Sequence, residues 1–514
     1  KKGVRMNKRL TVVLALLAAG ITVLFAAGQG EVEGGATGEP SFSYMIPNPY
    51  FQWLEDQLWY PALKNAAGVE IDLINGGSRG DYYQQIDLQI ASGGLPDLFL
   101  LNLAQQTVYG SEGALVDWAP LIDEFAPNIQ AFIDDNPTYG ALISTGDNIY
   151  GIGAEYPRIS AVTLYRADLF EQAGITDMPE NIDEFTDVLR TLRDEFSDVP
   201  NFYPFQGRGS YLEFRAVFGA NDRIEDGQVQ GRYNNGQGYD IYSPGFRDMV
   251  EWLKLAYEEE LIDPEWVAGT QTEETWQTKM LTGRGAVSDD FFTRPAWFMA
   301  NANLDEYPTY DIQVMPLFRD NDGNLVRRAS APRFPNDRYV AINSRTSDAT
   351  QETIVRFHDF LFSEEGINYV ALGIEGESYE MVDGEPQFLV DWEEQAAIPL
   401  GTPHWFIAQD RFTFAMPVDN DLYYQYQSPR VASFAEDYFS TYVQSFPQLK
   451  YTPEQLRRRS DLEGELLTAV DAAVVDFVTG SRPMSEWQDF LDEMEAIGAR
   501  DITEIDQAAY DATY

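Results

Sequence analysis

Four consecutive apolar side chains, Leu98-Phe99-Leu100-Leu101, constrain this chain more than any other stretch. They follow a Gly93-Gly94-Leu95-Pro96 break, and such a run suits a strand covered on both faces, as in a parallel sheet with helices above and below. Two earlier stretches match it. Residues 42–46 read as a short strand, and Val69, Ile71, Leu73 and Ile74 mark a second. A helix fits between those two, with Pro61 in its opening turn. Asp81 is placed to cap a second helix that carries Tyr83, Ile86 and Ile90 on one face and stops at Gly93-Gly94. Strand alternating with helix predicts an α/β fold built on a doubly wound sheet with right-handed crossovers.

Beyond residue 165 helical spacing dominates. Ile182, Phe185, Val188, Leu189 and Leu192 recur at helical intervals, as do Phe246, Met249, Val250 and Leu253. Extended segments return at 311–317 and 338–342, joined across the hairpin-type turn Asp320-Asn321-Asp322-Gly323-Asn324. Asp383-Gly384 marks another turn. From Pro453 onward the pattern is helical, with Ser485 placed to cap a helix holding Trp487, Phe490 and Leu491. A chain of 514 residues exceeds one hydrophobic core, so two lobes are expected, with extra C-terminal helices.

The first 28 residues read as a secretory signal peptide: Lys8 and Arg9, an apolar run over 10–25, then small residues up to Gly28. Residues 29–40 are rich in Gly and Glu and read as a flexible tether. The expected location is therefore extracytoplasmic. There is no cysteine, which excludes disulfides, thiolate metal sites and a lipid-modified cysteine. Eighty-three acidic residues face 35 Lys plus Arg, a net charge of −48. Removing the five cations of the leader gives −48 − 5 = −53. Such a field repels nucleic acid and anionic membranes as partners. Only seven of the cations are lysine. Screening by concentrated salt, with a Debye length of ~3 Å at 1 M, makes this self-repulsion tolerable, so a halophilic, saline setting is expected.

Several short pieces then occur in a fixed order. They are Ala91-Ser92-Gly93-Gly94-Leu95-Pro96-Asp97, Tyr150-Gly151, Leu164-Tyr165-Arg166-Ala167-Asp168-Leu169 and Ala173-Gly174-Ile175. Leu261-Ile262-Asp263-Pro264-Glu265-Trp266, Gly373-Ile374-Glu375-Gly376 and Glu486-Trp487 follow. Their order resembles bacterial extracellular solute-binding proteins of family 1, the longer branch serving complex-sugar importers. The resemblance implies two α/β lobes joined by hinge strands, closing on a sugar and presenting it to the permease of an ABC transporter. It implies no cofactor and a monomer. Many relatives carry a lipidated cysteine after the leader, and here Phe25-Ala26-Ala27-Gly28 stands instead, so lipid anchoring is not expected.

In doubly wound sheets ligands lie outside the carboxyl ends of the strands. Sugar rings present apolar faces to aromatic rings and hydroxyls to planar polar groups. The ligand-binding candidates on these grounds are Asn48, Tyr50, Trp53, Arg79 and Asn102 in the first lobe, with Tyr156 and Arg158 near the crossing. In the second lobe they are Asp289, Asp290, Trp297 and Trp405, with Arg333 in the returning segment. Arg79, Arg158 and Arg333 would suit an acidic sugar if they face the cleft. The expected lobes are 41–155 plus 308–365 and 156–307 plus 366–514.

No enzyme signature emerges. The two histidines, His358 and His404, exclude a histidine-rich metal site, and His358 reads as a packing residue. A chance carboxylate pair is uninformative among so many acids, so a secreted carbohydrate-active hydrolase stands only as an alternative, beside a peptide-binding importer component. The 320–324 turn lacks the spacing of an EF-hand, and no metal is expected.

Overall fold

In the computed structural model the strand–helix alternation materialises as β1 (Ser41–Asn48), α1 (Trp59–Ala67), β2 (Glu70–Ser78), α2 (Tyr82–Ser92) and β3 (Leu98–Leu101). The structure describes residues 40–48, 51, 54, 57, 59–78, 81–155, 161–208, 211–220, 223–231, 240–270, 272–291, 294–319, 325, 334, 337–389, 413–418 and 447–513. β1 pairs in parallel with β2 on one side and β3 on the other. All four β3 side chains are buried, as the unbroken apolar run requires. Two strands distant in sequence complete the sheet: β4 (Ile152–Gly153) and β9 (Tyr339–Ile342), in the order β2-β1-β3-β9-β4, with β9 antiparallel to both neighbours.

The second sheet joins β5 (Ala161–Arg166), β6 (Phe205–Gln206), β7 (Val287–Phe291) and β8 (Ile312–Val314) in the order β8-β5-β7-β6. Around it pack α4 (Ile182–Glu195), α5 (Pro244–Glu258), α6 (Glu273–Leu281) and α7 (Arg294–Asn301). The long α10 (Pro453–Thr479) and the terminal α11 (Trp487–Ile497) and α12 (Ala499–Thr513) add a helical layer. The apolar stripe of α4 buries Phe185, Leu189 and Leu192, and Phe185 meets Phe205, Phe214, Trp252 and Phe318 at centroid distances of 5.2–6.3 Å. Burial of a fully covered aromatic or aliphatic side chain stabilises by about 1.5–3 kcal/mol, so this ring cluster anchors the second core. The molecule is thus a two-lobed α/β fold with one core around the first sheet and two against the second, the smaller built on Val162, Leu164, Ile312, Val314 and Trp276.

The division of chain between cores differs from the expected one in two places. β8 pairs with β5, so residues 312–314 belong with the second sheet rather than the first. α9 (Glu364–Leu372), together with Phe414, Ala415 and Met416, packs in the first core, because Val370 and the ring of Phe414 are covered there. The segments 311–317 and 338–342 therefore do not pair with each other, although Arg319 and Leu325 bridge antiparallel at the mouth of the 320–324 turn. The turn itself and the calcium question attached to it lie outside the described residues.

Caps are where local reading and structure part. Gly93 adopts φ 75° and its N–H closes on the carbonyls of Gln89 and Ile90, as a helix-ending glycine should. Asp81 makes no side-chain cap, because its carboxylate instead accepts a hydrogen bond from the Ser78 hydroxyl at 2.7 Å. Ser485 falls inside a 3-10 turn, Met484–Glu486, and likewise caps nothing. Asp383 and Gly384, both at positive φ, make the tight turn between Tyr379–Val382 and Glu385–Phe388.

Candidate ligand cleft

The carboxyl edge of the first sheet is set by a tyrosine. Tyr82 opens α2, is buried, donates its hydroxyl to the Met45 carbonyl at 2.8 Å and accepts the Leu100 N–H at 3.0 Å, stitching β1 to β3. Burial pushes its phenol pKa well up, so it remains a neutral donor. Gly76 has to be glycine, since a Cβ there would lie 2.4 Å from the Tyr82 ring. Asn48 and Asn102 stand at the ends of β1 and β3 on this edge. Asn102 caps the next helix, α3 (Leu103–Ser111): its Oδ1 accepts the Gln105 N–H at 2.8 Å, and the Gln105 Oε1 returns to the Asn102 N–H at 3.3 Å. The buried Oδ1 of Asn48 has no hydrogen-bond partner among the described residues.

The chain leaves this edge twice to reach the second sheet, from the end of β4 to the start of β5 and, in reverse, from the end of β8 to the start of β9. The receiving edge holds the start of β5 and the end of β7, where Ala161 pairs with Phe291. Both sheet edges therefore lie where the chain passes between the sheets. A third crossing is tied to the first by Glu155, which is buried. Its N–H donates to the Met416 carbonyl at 3.0 Å, and its Oε2 accepts the Val418 N–H at 3.1 Å.

On the second edge, Asp289 accepts the hydroxyl of Thr163, its register partner on β5, at 2.9 Å. Asp290 is ion-paired twice, with Arg208 Nη1 at 2.9 Å and Arg294 Nε at 2.5 Å. Its side chain is 2% exposed, whereas that of Arg208 is 32% exposed. The guanidinium, not the carboxylate, meets solvent at this edge. Both arginines lie over the ring of Trp276, at 6.0 and 5.6 Å, and Arg294 also lies 5.5 Å from Trp297. Trp276 on α6 is fixed from below, donating Nε1–H to the Ser288 hydroxyl at 2.7 Å while that hydroxyl donates to the Gln206 carbonyl. The arrangement offers planar donors held on an aromatic floor. Such an arrangement suits hydrogen bonding to a planar or hydroxylated group.

Of the sequence candidates, Asn48 and Asn102 share the first edge and Asp289, Asp290 and Trp297 the second. Tyr50, Trp53, Arg79, Tyr156, Arg158, Arg333 and Trp405 lie outside the described residues, as does His404. Arg208, Arg294 and Trp276 were not among the candidates. The available signal was modest: Arg294 sits four residues beyond Asp290, and Arg208 follows the glycine that ends β6. His358 is buried in a helix of the first core, its Nδ1 2.9 Å from the Ile354 carbonyl and its ring edge-on to Trp118, and burial lowers its pKa to about 4. Among the described residues no cluster of three or more His, Asp or Glu could hold a metal, and no helix is long and apolar enough to cross a membrane.

Two α/β lobes joined by repeated crossings of the chain define the architecture, and comparison with known proteins gives it a family. The model of the bacterial extracellular solute-binding protein family matches residues 53–367, more than half of the chain, and the chain belongs to that family. It is 23% identical over 495 residues to the fructooligosaccharide ABC transporter substrate-binding protein FusA of Streptococcus pneumoniae, covering 89% of this chain and 87% of that one. Among solved structures it resembles the alginate-binding protein AlgQ2, with a TM-score of 0.73 and 20% identity over 92% of this chain and 99% of the other. The FusA complex with kestose matches with a TM-score of 0.68 and 17% identity over the same shares. Family and fold agree with the sequence expectation.

Proposed function

We propose that this protein captures an oligosaccharide between its two lobes outside the cytoplasm and delivers it to the permease of an ABC importer. The carrying observation is the match, over nearly the whole length of both chains, to a curated relative named as a fructooligosaccharide substrate-binding protein. The chemistry of the two edges supports it: Arg208 and Arg294 lie over Trp276 at the second, and Asn48 and Asn102 stand at the strand ends of the first. Closure follows from ligand touching both edges, because only a ligand with higher affinity for the closed form shifts the population toward it. On this reading the protein acts as a monomer, needs no cofactor, and uses its negative field to stay soluble in saline surroundings.

A thermal-shift series with kestose, nystose and alginate oligosaccharides tests the proposal. Stability should grow as RT ln(1+[L]/Kd), about 2.7 kcal/mol at a hundredfold excess over Kd, with the sugar recovered intact. Release of shorter sugars would favour the hydrolase alternative. Indifference to every sugar, with stabilisation by peptides, would favour the peptide alternative.

A further inference from the structure

The three passages between the lobes differ in how much chain each has to turn in. The first runs from Ile152 in the first core to Val162 in the smaller core of the second lobe, and the second returns from Val314 to Phe334. The third is far shorter. Met416 is covered in the first core, while Val418 already packs against the smaller core of the second, so the chain changes lobe at Pro417. Rotation of one lobe against the other is therefore concentrated, on this passage, at a single residue.

That residue has one free torsion. Planar peptide bonds leave two soft dihedrals per residue, and the proline ring fixes φ at about −65°. What remains is ψ of Pro417, the angle between the peptide plane carrying the Met416 carbonyl and the plane carrying the Val418 N–H. Glu155 grips both planes. Its own N–H donates to the Met416 carbonyl at 3.0 Å, and its Oε2 accepts the Val418 N–H at 3.1 Å. Glu155 is only 3% exposed, and the strand that carries it is anchored to the first lobe. There the buried Tyr139 donates its hydroxyl to the Gly153 carbonyl at 3.1 Å and accepts the Gly153 N–H at 3.0 Å. The Tyr139 ring also lies 4.7 Å from that of Phe334 on the second passage. Turning ψ of Pro417 away from this setting pulls the Val418 N–H off the carboxylate and breaks a charge-assisted hydrogen bond.

We propose that Glu155 is a hinge pin, a positioning residue that holds ψ of Pro417 and thereby sets the balance between lobe arrangements before any ligand arrives. The inference rests on the capture reading above and adds a control on it that lies outside the ligand contacts. Apparent affinity is the intrinsic affinity scaled by the fraction of molecules in the competent arrangement. A residue that shifts this fraction multiplies every Kd by one factor, whereas a residue that touches the sugar changes each Kd differently.

Small-angle scattering of the unliganded protein, with calorimetric titration by kestose, nystose and alginate oligosaccharides, provides the test. Glu155→Ala removes the carboxylate and keeps the backbone bond to Met416. Its radius of gyration should differ from that of the unmodified protein. The Kd of every sugar that binds should move by one shared factor of about three to ten, as expected for one lost hydrogen bond. The two signs are linked: binding weakens if the variant is more expanded and tightens if it is more compact. Pro417→Ala frees φ while leaving Glu155 in place and should move both readouts in the same direction. Glu155→Gln keeps an oxygen for the Val418 N–H and should stay within about twofold of the unmodified protein. The pin is overturned by factors that differ between sugars, by a change in only one readout or in neither, or by no rescue with glutamine. Failure of both Glu155→Ala and Pro417→Ala to fold also overturns it, since the segment then serves folding alone. If the unmodified protein binds no sugar, the capture reading falls, and the scattering comparison by itself still decides whether Glu155 sets the lobe balance.

Discussion

The two sheets hold together by different physics. In the first, β3 and β9 lie side by side and all their side chains are buried and apolar apart from the Tyr339 hydroxyl. In the second, β7 carries Ser288, Asp289 and Asp290, all buried, beside the buried Gln206 of β6 and Arg166 of β5. Apolar burial is non-directional and tolerates small shifts, whereas buried charges demand matched partners at hydrogen-bond distance. The first sheet is a platform. The second is an instrument whose edge is aimed by ion pairs.

Removing a large ring from the platform should have the largest effect. Phe99→Ala, at a fully buried central-strand position, is expected to destabilise by about 3–5 kcal/mol in urea unfolding. A loss below 1 kcal/mol would break the contrast from the apolar side. In the second lobe, Lys279 donates to the fully buried Asp263 at 2.5 Å and to Glu265 at 2.7 Å. Asp263→Leu alone should cost about 3 kcal/mol by leaving the ammonium half-paired. Adding Lys279→Met should recover most of that loss, which a double-mutant cycle measures; no recovery would mean that the pair is not the reason for the cost.

His358 is an exception inside the apolar lobe, and acid should expose it. Its folded pKa is lowered to about 4 from an ordinary 6.5, so the unfolded chain binds the proton more readily between those values. Stability is then intact above pH 6.5 and falls by up to about 1.4 kcal/mol per pH unit until about pH 4. Denaturant unfolding across this window should show a slope that His358→Leu flattens; an unchanged slope would refute the assignment. The smallest effect is expected at Asn102, where Asn102→Ala removes the capping box of α3 and should cost about 1 kcal/mol. Asn102→Asp should keep most of that stability while altering sugar affinity, which separates the cap from the cleft.

The same contrast explains what was legible. Leu98–Leu101 announces its strand because four apolar residues in a row have few other solutions, and α4 announces itself through Phe185, Leu189 and Leu192 at helical spacing. The insertion of β9 between β3 and β4 is invisible locally, since pairing across more than 180 residues leaves no trace in either strand. Caps failed at Asp81 and Ser485, where a neighbouring hydroxyl or an extra 3-10 turn outcompeted the expected geometry. Strand ends single out Asn48 and Asn102 as candidates, whereas Arg208 and Trp276 reach the second edge through partners far along the chain. Among 83 acidic residues, no charge pattern singles out the few carboxylates that matter.

The late arrival of β9 also bears on how the molecule is made. Synthesis proceeds from the amino terminus, so β3 must wait for Tyr339–Ile342 before its open side is zipped to β4. Until then the growing polypeptide presents a naked apolar ribbon that cannot lock into its final form. The first core is therefore completed late, and in that interval the unpaired side of β3 is open to pairing with a wrong strand.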